Sequence, residues 1–154
     1  MRQKVIIDMQ FMGQMTNKEV THSSMTSMSS SLLNNQLKST LHRKSYLDVF
    51  PKHQLVYLSA DSPKPLTSLT STDMYIIGAS TGQSSQKLNT YDSALRNGIR
   101  SVRLPIDEYV MWKWYNQVLS PYQTFAILLD FYVTNDWTKS IISNVNSDLV
   151  SQSI

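Results

Sequence analysis

Apolar and polar positions fall into blocks along this chain. Lys4-Val5-Ile6-Ile7-Asp8 is a short apolar run with polar ends and predicts a buried strand. Gln54-Leu55-Val56-Tyr57-Leu58-Ser59-Ala60 and Asp73-Met74-Tyr75-Ile76-Ile77-Gly78 repeat the pattern. The first is stopped by the prolines of Asp61-Ser62-Pro63-Lys64-Pro65, the second by a turn of small residues from Ala79 to Ser85. A further strand is predicted over Arg100-Ser101-Val102-Arg103-Leu104-Pro105-Ile106, closed by Asp107-Glu108-Tyr109. These runs are apolar at successive positions rather than alternate ones, as expected of strands covered on both faces.

Helical signals lie between and after the strands. Thr16 with Glu19 forms a capping box before a predicted helix over 17–33, whose apolar positions are sparse among serines. Asn89 to Asn97 reads as a helix stopped by Gly98. Ser120-Pro121 places an N-cap and a first-turn proline before Phe125, Ile127, Leu128, Leu129, Phe131, Tyr132 and Val133. That helix is apolar nearly all round and is expected to be well buried. Asp136-Trp137 opens a last short helix through Val145, with Trp137 as a core anchor. The stretch from Asn34 to Lys52 predicts no element. Strands alternating with helices in this way predict an α/β fold with a parallel sheet flanked by helices. The pattern is that of one domain over residues 1–146, with a polar tail, 147–154, expected to fray.

Composition narrows the chemistry. The 154 residues contain 41% hydrophobic and only 16% charged residues, with no cysteine. Disulfides, thiol nucleophiles and thiolate metal sites are therefore excluded. His22, His42 and His53 are too scattered to form a ligand set, so no metal is expected. Four glycines leave no dinucleotide fingerprint or phosphate-binding loop. No apolar run is long enough for a membrane helix, so no membrane association is expected, and the opening Met1-Arg2-Gln3-Lys4 is not read as a cleavable signal. The net charge of +3 is uneven: residues 1–55 hold seven Lys/Arg against three Asp/Glu, and residues 56–154 hold seven against eight.

In an open α/β sheet, ligands bind beyond the carboxyl ends of the strands. Three of the predicted strands end in Leu58-Ser59-Ala60, Gly78-Ala79-Ser80-Thr81-Gly82 and Leu104-Pro105-Ile106-Asp107. Converging, they would line a pocket of main-chain groups with few side-chain charges. Such a pocket suits a neutral or zwitterionic cofactor better than a polyphosphate.

Four segments in order then carry a resemblance: Tyr57-Leu58-Ser59-Ala60-Asp61-Ser62-Pro63, Tyr75-Ile76-Ile77-Gly78, Arg103-Leu104-Pro105-Ile106-Asp107-Glu108-Tyr109 and Asp136-Trp137. Together they resemble the SPOUT-class methyltransferases that act on N1 of the purine at position nine of tRNA. Val5-Ile6-Ile7-Asp8 with Met15-Thr16-Asn17-Lys18-Glu19 is similar to that family's opening strand and helix. Asp48-Val49-Phe50-Pro51-Lys52 is most similar to the animal mitochondrial branch, the methyltransferase subunit of protein-based ribonuclease P. The resemblance implies a C-terminal trefoil knot, an exception to the general rule against knots. It implies S-adenosyl-L-methionine as cofactor, cradled by Leu58, Ser59, Gly78, Leu104, Pro105, Ile106, Leu119 and Ser120. It implies a mitochondrial location, with nucleus or cytoplasm as the alternative, and tRNA as the partner. Arg100 and Arg103 are candidate phosphate contacts, with solvated surface as the alternative reading. Trp112, Trp114 and Tyr115 form an aromatic cluster read as packing before base stacking.

Two departures from the family pattern bear on activity. Gly82 stands where the family usually has an aspartate, four residues after Gly78. Guanine N1 carries a proton at neutral pH that a carboxylate base helps remove, whereas adenine N1 already exposes its lone pair. No catalytic residue is therefore certain. Asp107 is a weak substitute, and guanine activity should suffer more than adenine activity. Around residues 34–42 the family's longer stretch, with an interior strand and helix, is shortened. The family's basic N-terminal extension also has no counterpart here, so weak RNA binding by this chain alone is expected. Three readings follow: a methyltransferase with weakened catalysis; a non-catalytic scaffold subunit of a ribonuclease P complex, beside a short-chain dehydrogenase and a protein nuclease; or an RNA-binding module with an empty knot.

Overall fold

Four short strands pair in parallel: β1 (Lys4–Asp8), β2 (Leu55–Leu58), β3 (Met74–Gly78) and β4 (Arg100–Val102). They come from a computed structural model that describes residues 4–8, 45–78, 90–112, 119–145 and 150–151. Their order across the sheet is β1-β3-β2-β4. The register sets Asp8 beside Gly78, and Leu58 beside both Ile77 and Val102, so the carboxyl ends lie level.

The apolar runs have the expected cause. Val5, Val56, Leu58, Tyr75 and Ile77 face one core together with Phe125, Leu128, Phe131, Trp137 and Ile141. Leu55, Tyr57, Met74 and Ile76 face the other core with Tyr46, Ala94 and Ile99. Adjacent strand residues point to opposite faces, so every position is apolar because each face meets its own core. The second core lies under α1 (Tyr46–Val49), a 3₁₀ turn (Lys52–Gln54) and α2 (Thr90–Asn97). The first lies under α4 (Pro121–Thr134) and α5 (Trp137–Asn144). α1 and the 3₁₀ turn occupy a stretch whose sequence pattern predicts nothing.

The ends of the helices follow their local chemistry. Gly98 takes φ +65 and closes α2, with the Ile99 N–H returning to the Ala94 carbonyl at 2.9 Å. Ser120 and Gln123 cap α4 reciprocally. Asn135, at φ 54, ends α4, and the Asp136 carboxylate accepts the Lys139 N–H at 3.0 Å to start α5. The Trp137 ring stacks on Phe131 with centroids 3.7 Å apart, and its indole N–H donates to the Thr67 carbonyl. Trp137 thus fastens α5, α4 and the loop after β2.

Three expectations change. The strand predicted over residues 100–106 stops at Val102. Arg103 makes only an isolated bridge to Pro65, which has no N–H to give, and Ile106 already begins the one-turn helix α3 (Ile106–Tyr109). α4 is not covered all round: Phe125, Ile127, Leu128 and Phe131 are buried, while Tyr122 is 39% and Val133 75% exposed. One side of the helix meets the sheet and no described residue covers the other at those positions. Within the tail, β6 (Val150–Ser151) pairs antiparallel with β5 (Met111–Trp112), a pairing that polar composition does not announce. The helix predicted over 17–33 and the shortened stretch 34–42 lie outside the described residues.

Candidate functional site

The carboxyl ends of β2 and β4 are joined by main-chain and hydroxyl contacts. The Ser59 N–H donates to the Val102 carbonyl at 2.9 Å. The Ser59 hydroxyl is buried and accepts from the Thr90 hydroxyl at 2.7 Å, which ties the start of α2 to the end of β2. Beyond β4, the Leu66 N–H and Lys64 carbonyl both bond Arg103 at 2.8 Å, so the loop after β2 runs beside this rim. Leu58 is buried in the core under α4, and Leu104, Ile106 and Leu119 pack against that same core. Pro105 is fully buried. The structure therefore brings Leu58, Leu104, Ile106 and Leu119 together. Ser120 stands next to Leu119, but its hydroxyl accepts the Gln123 N–H at 3.1 Å and its N–H donates to Gln123 Oε1 at 3.0 Å. Its polar groups serve the helix cap.

Gly78 lies on the other face, beneath a cluster the sequence reading does not contain. Asp8 ends β1 with only 5% exposure, and Tyr57, two strands away, donates its hydroxyl to Asp8 Oδ2 at 3.1 Å. That hydroxyl passes over Gly78. A Cβ at position 78 would sit 3.1 Å from the Tyr57 oxygen and 3.5 Å from Thr90 Cγ2, so glycine keeps the passage open. Tyr46 meets Tyr57 edge-on, with centroids 6.4 Å apart. Burial, followed by the charge and hydrogen bonding of Asp8, raises both phenols far above their ordinary range. Both stay protonated and can donate to the carboxylate. A polar residue ending an apolar strand hints at such a cluster, but two tyrosines from distant segments cannot be assigned to it from spacing.

The charged candidates separate. Arg103 grips Glu108 with both guanidinium nitrogens, one at 2.9 Å. Hydrogen bonding to Arg103 outweighs burial and holds the Glu108 carboxyl below its usual value; the same pair raises Arg103. Asp107 is exposed in the first turn of α3. Arg100 lies at the opposite, amino end of the sheet. There its guanidinium donates to Asp73 at 2.6 Å and to the His53 carbonyl at 2.7 Å. Gly82, Trp114 and Tyr115 lie outside the described residues.

Among the described residues there is no group of three or more His, Cys, Asp or Glu that could hold a metal ion, and no helix long and apolar enough to cross a membrane. What the carboxyl rim offers is aliphatic surface from Leu58, Leu104, Ile106 and Leu119, beside main chain at Ser59 and Gly78. These suit a ligand with an apolar body and hydrogen-bonding edges. They lack the cations a polyphosphate would require.

Comparison with known proteins points the same way. A family model described as tRNA (guanine(9)-N(1))-methyltransferase TRM10/TRM10A matches residues 22–145. The chain is 34% identical over 107 residues to tRNA methyltransferase 10 homolog B of Danio rerio, covering 66% of this chain and 34% of the relative. It is 33% identical over 102 residues to the mitochondrial ribonuclease P protein 1 homolog of Drosophila melanogaster, covering 66% and 23%. It thus spans at most about a third of these relatives' length. Among solved structures it is similar to the full-length spTrm10–SAH complex, with a TM-score of 0.71 and 26% identity, covering 93% of this chain and 94% of that one.

Proposed function

The chain belongs to the TRM10/TRM10A family of tRNA (guanine(9)-N(1))-methyltransferases, and we propose that it is an S-adenosyl-L-methionine-binding tRNA methyltransferase domain acting on N1 of the purine at position nine. The observation that carries this reading is the uncharged rim where β2, β3 and β4 end, in a fold shared with an SAH-bound neighbour over 93% of this chain. S-adenosyl-L-methionine, when bound, supplies an electrophilic methyl group on a sulfonium. Leu58, Leu104, Ile106 and Leu119 would shelter its apolar body, and main chain at Ser59, Gly78 and Leu104–Ile106 would bond its edges, with Ser120 closing the cradle. Pro105 and the buried Ser59 hydroxyl are fixed by their own contacts, so the rim needs little ordering on binding.

The base decides the chemistry. Guanine N1 must lose a proton as its lone pair attacks, and a carboxylate in reach helps remove it. With Gly82 at the family's aspartate position, that help is missing, and exposed Asp107 is a weak replacement. Adenine N1 needs no deprotonation. Methylation of guanine is therefore expected to be weakened more than that of adenine.

A second reading is favoured by Gly82 together with the relative named mitochondrial ribonuclease P protein 1 homolog. In it the chain is a non-catalytic tRNA-binding subunit in mitochondria, beside a short-chain dehydrogenase and a protein nuclease. In both readings residues 1–146 form one domain with a C-terminal knot, and the family's interior strand and helix are shortened around 34–42.

Calorimetric titration of the folded chain with S-adenosyl-L-methionine tests the cofactor, followed by methyl transfer to guanine-9 and adenine-9 tRNA. Stoichiometric binding, with guanine activity raised by Gly82→Asp, is expected of the enzyme. Binding without transfer in either variant points to the scaffold. A folded chain that does not bind the cofactor refutes the methyltransferase reading.

A further inference from the structure

Charge on this sheet is sorted by end. Acidic residues gather beyond the carboxyl ends: Asp8 closes β1, Asp61 follows β2, Asp92 lies in the first turn of α2, and Asp107 and Glu108 follow β4. Lys64 and Arg103 are the cations in those same segments, and Arg103 is committed to Glu108. The amino ends are the reverse. Lys4 starts β1, Lys52 and His53 lead into β2, Arg96 lies in the last turn of α2, and Arg100 starts β4. All five are exposed. Asp73, just before β3, is the carboxylate at the strand starts among the described residues, and Arg100 holds it at 2.6 Å.

The register brings these residues to one edge. Lys4 and Leu55 both lie beside Met74, and Val56 lies beside Arg100. The Arg100 guanidinium reaches the His53 carbonyl at 2.7 Å, which places the 3₁₀ turn and the start of β4 in contact. Four strands spaced about 4.8 Å apart make a rim roughly 14 Å wide. With Arg100 matched to Asp73, Lys4, Lys52 and Arg96 remain as excess positive charge along it. Such a strip suits a polyanion with regularly spaced charges, and RNA phosphates supply that.

We infer that this amino rim, opposite the cofactor end of the sheet, grips the phosphate backbone of the tRNA through Lys4, Lys52 and Arg96. Arg100 acts here as a positioning residue: it ties the 3₁₀ turn to β4 and so sets where Lys52 stands. The inference rests on the reading of the chain as a tRNA-acting protein. It also answers an electrostatic difficulty in that reading, because the carboxyl rim is too acidic to hold RNA by charge. The target base would enter at one end of the sheet while the backbone is held at the other.

The test is fluorescence-anisotropy titration of a tRNA transcript between low and physiological salt, with the wild-type chain and a Lys52→Ala/Arg96→Ala variant. Both positions are exposed and outside the cofactor rim, and an unchanged urea midpoint verifies the fold. The variant is expected to bind more weakly and to flatten the dependence of log K on log salt by about 0.7–0.9 for each phosphate no longer neutralised. Its calorimetric affinity for S-adenosyl-L-methionine should match wild type. An unchanged salt slope, or a wild-type chain that binds the cofactor but no tRNA, overturns the rim. Absence of cofactor binding by the wild-type chain instead overturns the methyltransferase reading, and the salt slope still reports on the rim.

Discussion

Replacing Tyr57 by Phe removes one oxygen from the centre of the second core and tests the cluster around Asp8. The hydroxyl donates to Asp8 Oδ2 at 3.1 Å, and the carboxylate is 5% exposed, so water cannot readily take its place. A hydrogen bond to a charged group contributes about 1.5–3 kcal/mol, and a buried acceptor left short of a donor forfeits most of that. Tyr46 also bonds Asp8, which keeps the cost below that of a wholly unpaired charge. The rest of the ring packs as before, so no cavity term of consequence is added. For a chain of 154 residues this corresponds to a fall in Tm of about 3–12 °C. Urea unfolding of wild type, Tyr57→Phe, Asp8→Asn and the double variant closes a double-mutant cycle, with m expected to stay constant. The coupling energy should be about 1 kcal/mol or more. Full additivity, with both single variants destabilised, would refute the claim that this hydrogen bond carries the effect and would leave only local repacking at each site.

Three smaller perturbations follow from the same geometry. Gly98→Ala forces a Cβ into a backbone at φ +65 and should cost about 1–2 kcal/mol in urea unfolding although no atom lies within 4 Å of the new methyl. Asp73 is pulled upward by burial, but hydrogen bonds from Arg100 and Thr70 and the Arg100 charge outweigh it, leaving the carboxyl below its ordinary 3.8. Its contribution is therefore complete above the unfolded value and disappears as pH falls through the lower folded one. Acid unfolding of Asp73→Asn should lack that component, which is at most about 1 kcal/mol because Arg100 is 53% exposed. Gly78→Ala should cost stability by pushing the Tyr57 hydroxyl from its place 3.1 Å away, and combining it with Tyr57→Phe should recover part of that cost in the same urea titration.

β2 and β3 were legible because both faces are covered, which makes their apolar runs unbroken and lets Pro63, Pro65 and the turn after Gly78 mark their ends. The ends of α2, α4 and α5 were legible because Gly98, Ser120-Pro121 and Asp136 act within one turn of themselves. The aliphatic part of the candidate rim was legible through the rule that ligands sit beyond the carboxyl ends of parallel strands. The end of β4 was not, because it depends on Pro65, a residue from another segment that cannot extend the ladder. α1 was missed because one turn of helix has no periodicity to read, and Tyr46 is held there by contacts with the sheet.

The division has one physical cause. Propensity, caps and apolar periodicity act over a few residues, so the sequence by itself determined the kinds of element, most of their ends and the chemistry it lacks. The strand order β1-β3-β2-β4 is a choice among long-range pairings, and only tertiary structure made it. That order carries Tyr57 across Gly78 to Asp8, 49 residues away in the chain, where burial turns a weak polar contact into one that is costly to break. It also lines Lys4, Lys52, Arg96 and Arg100 along one edge, so that charges separated in sequence add their fields in space.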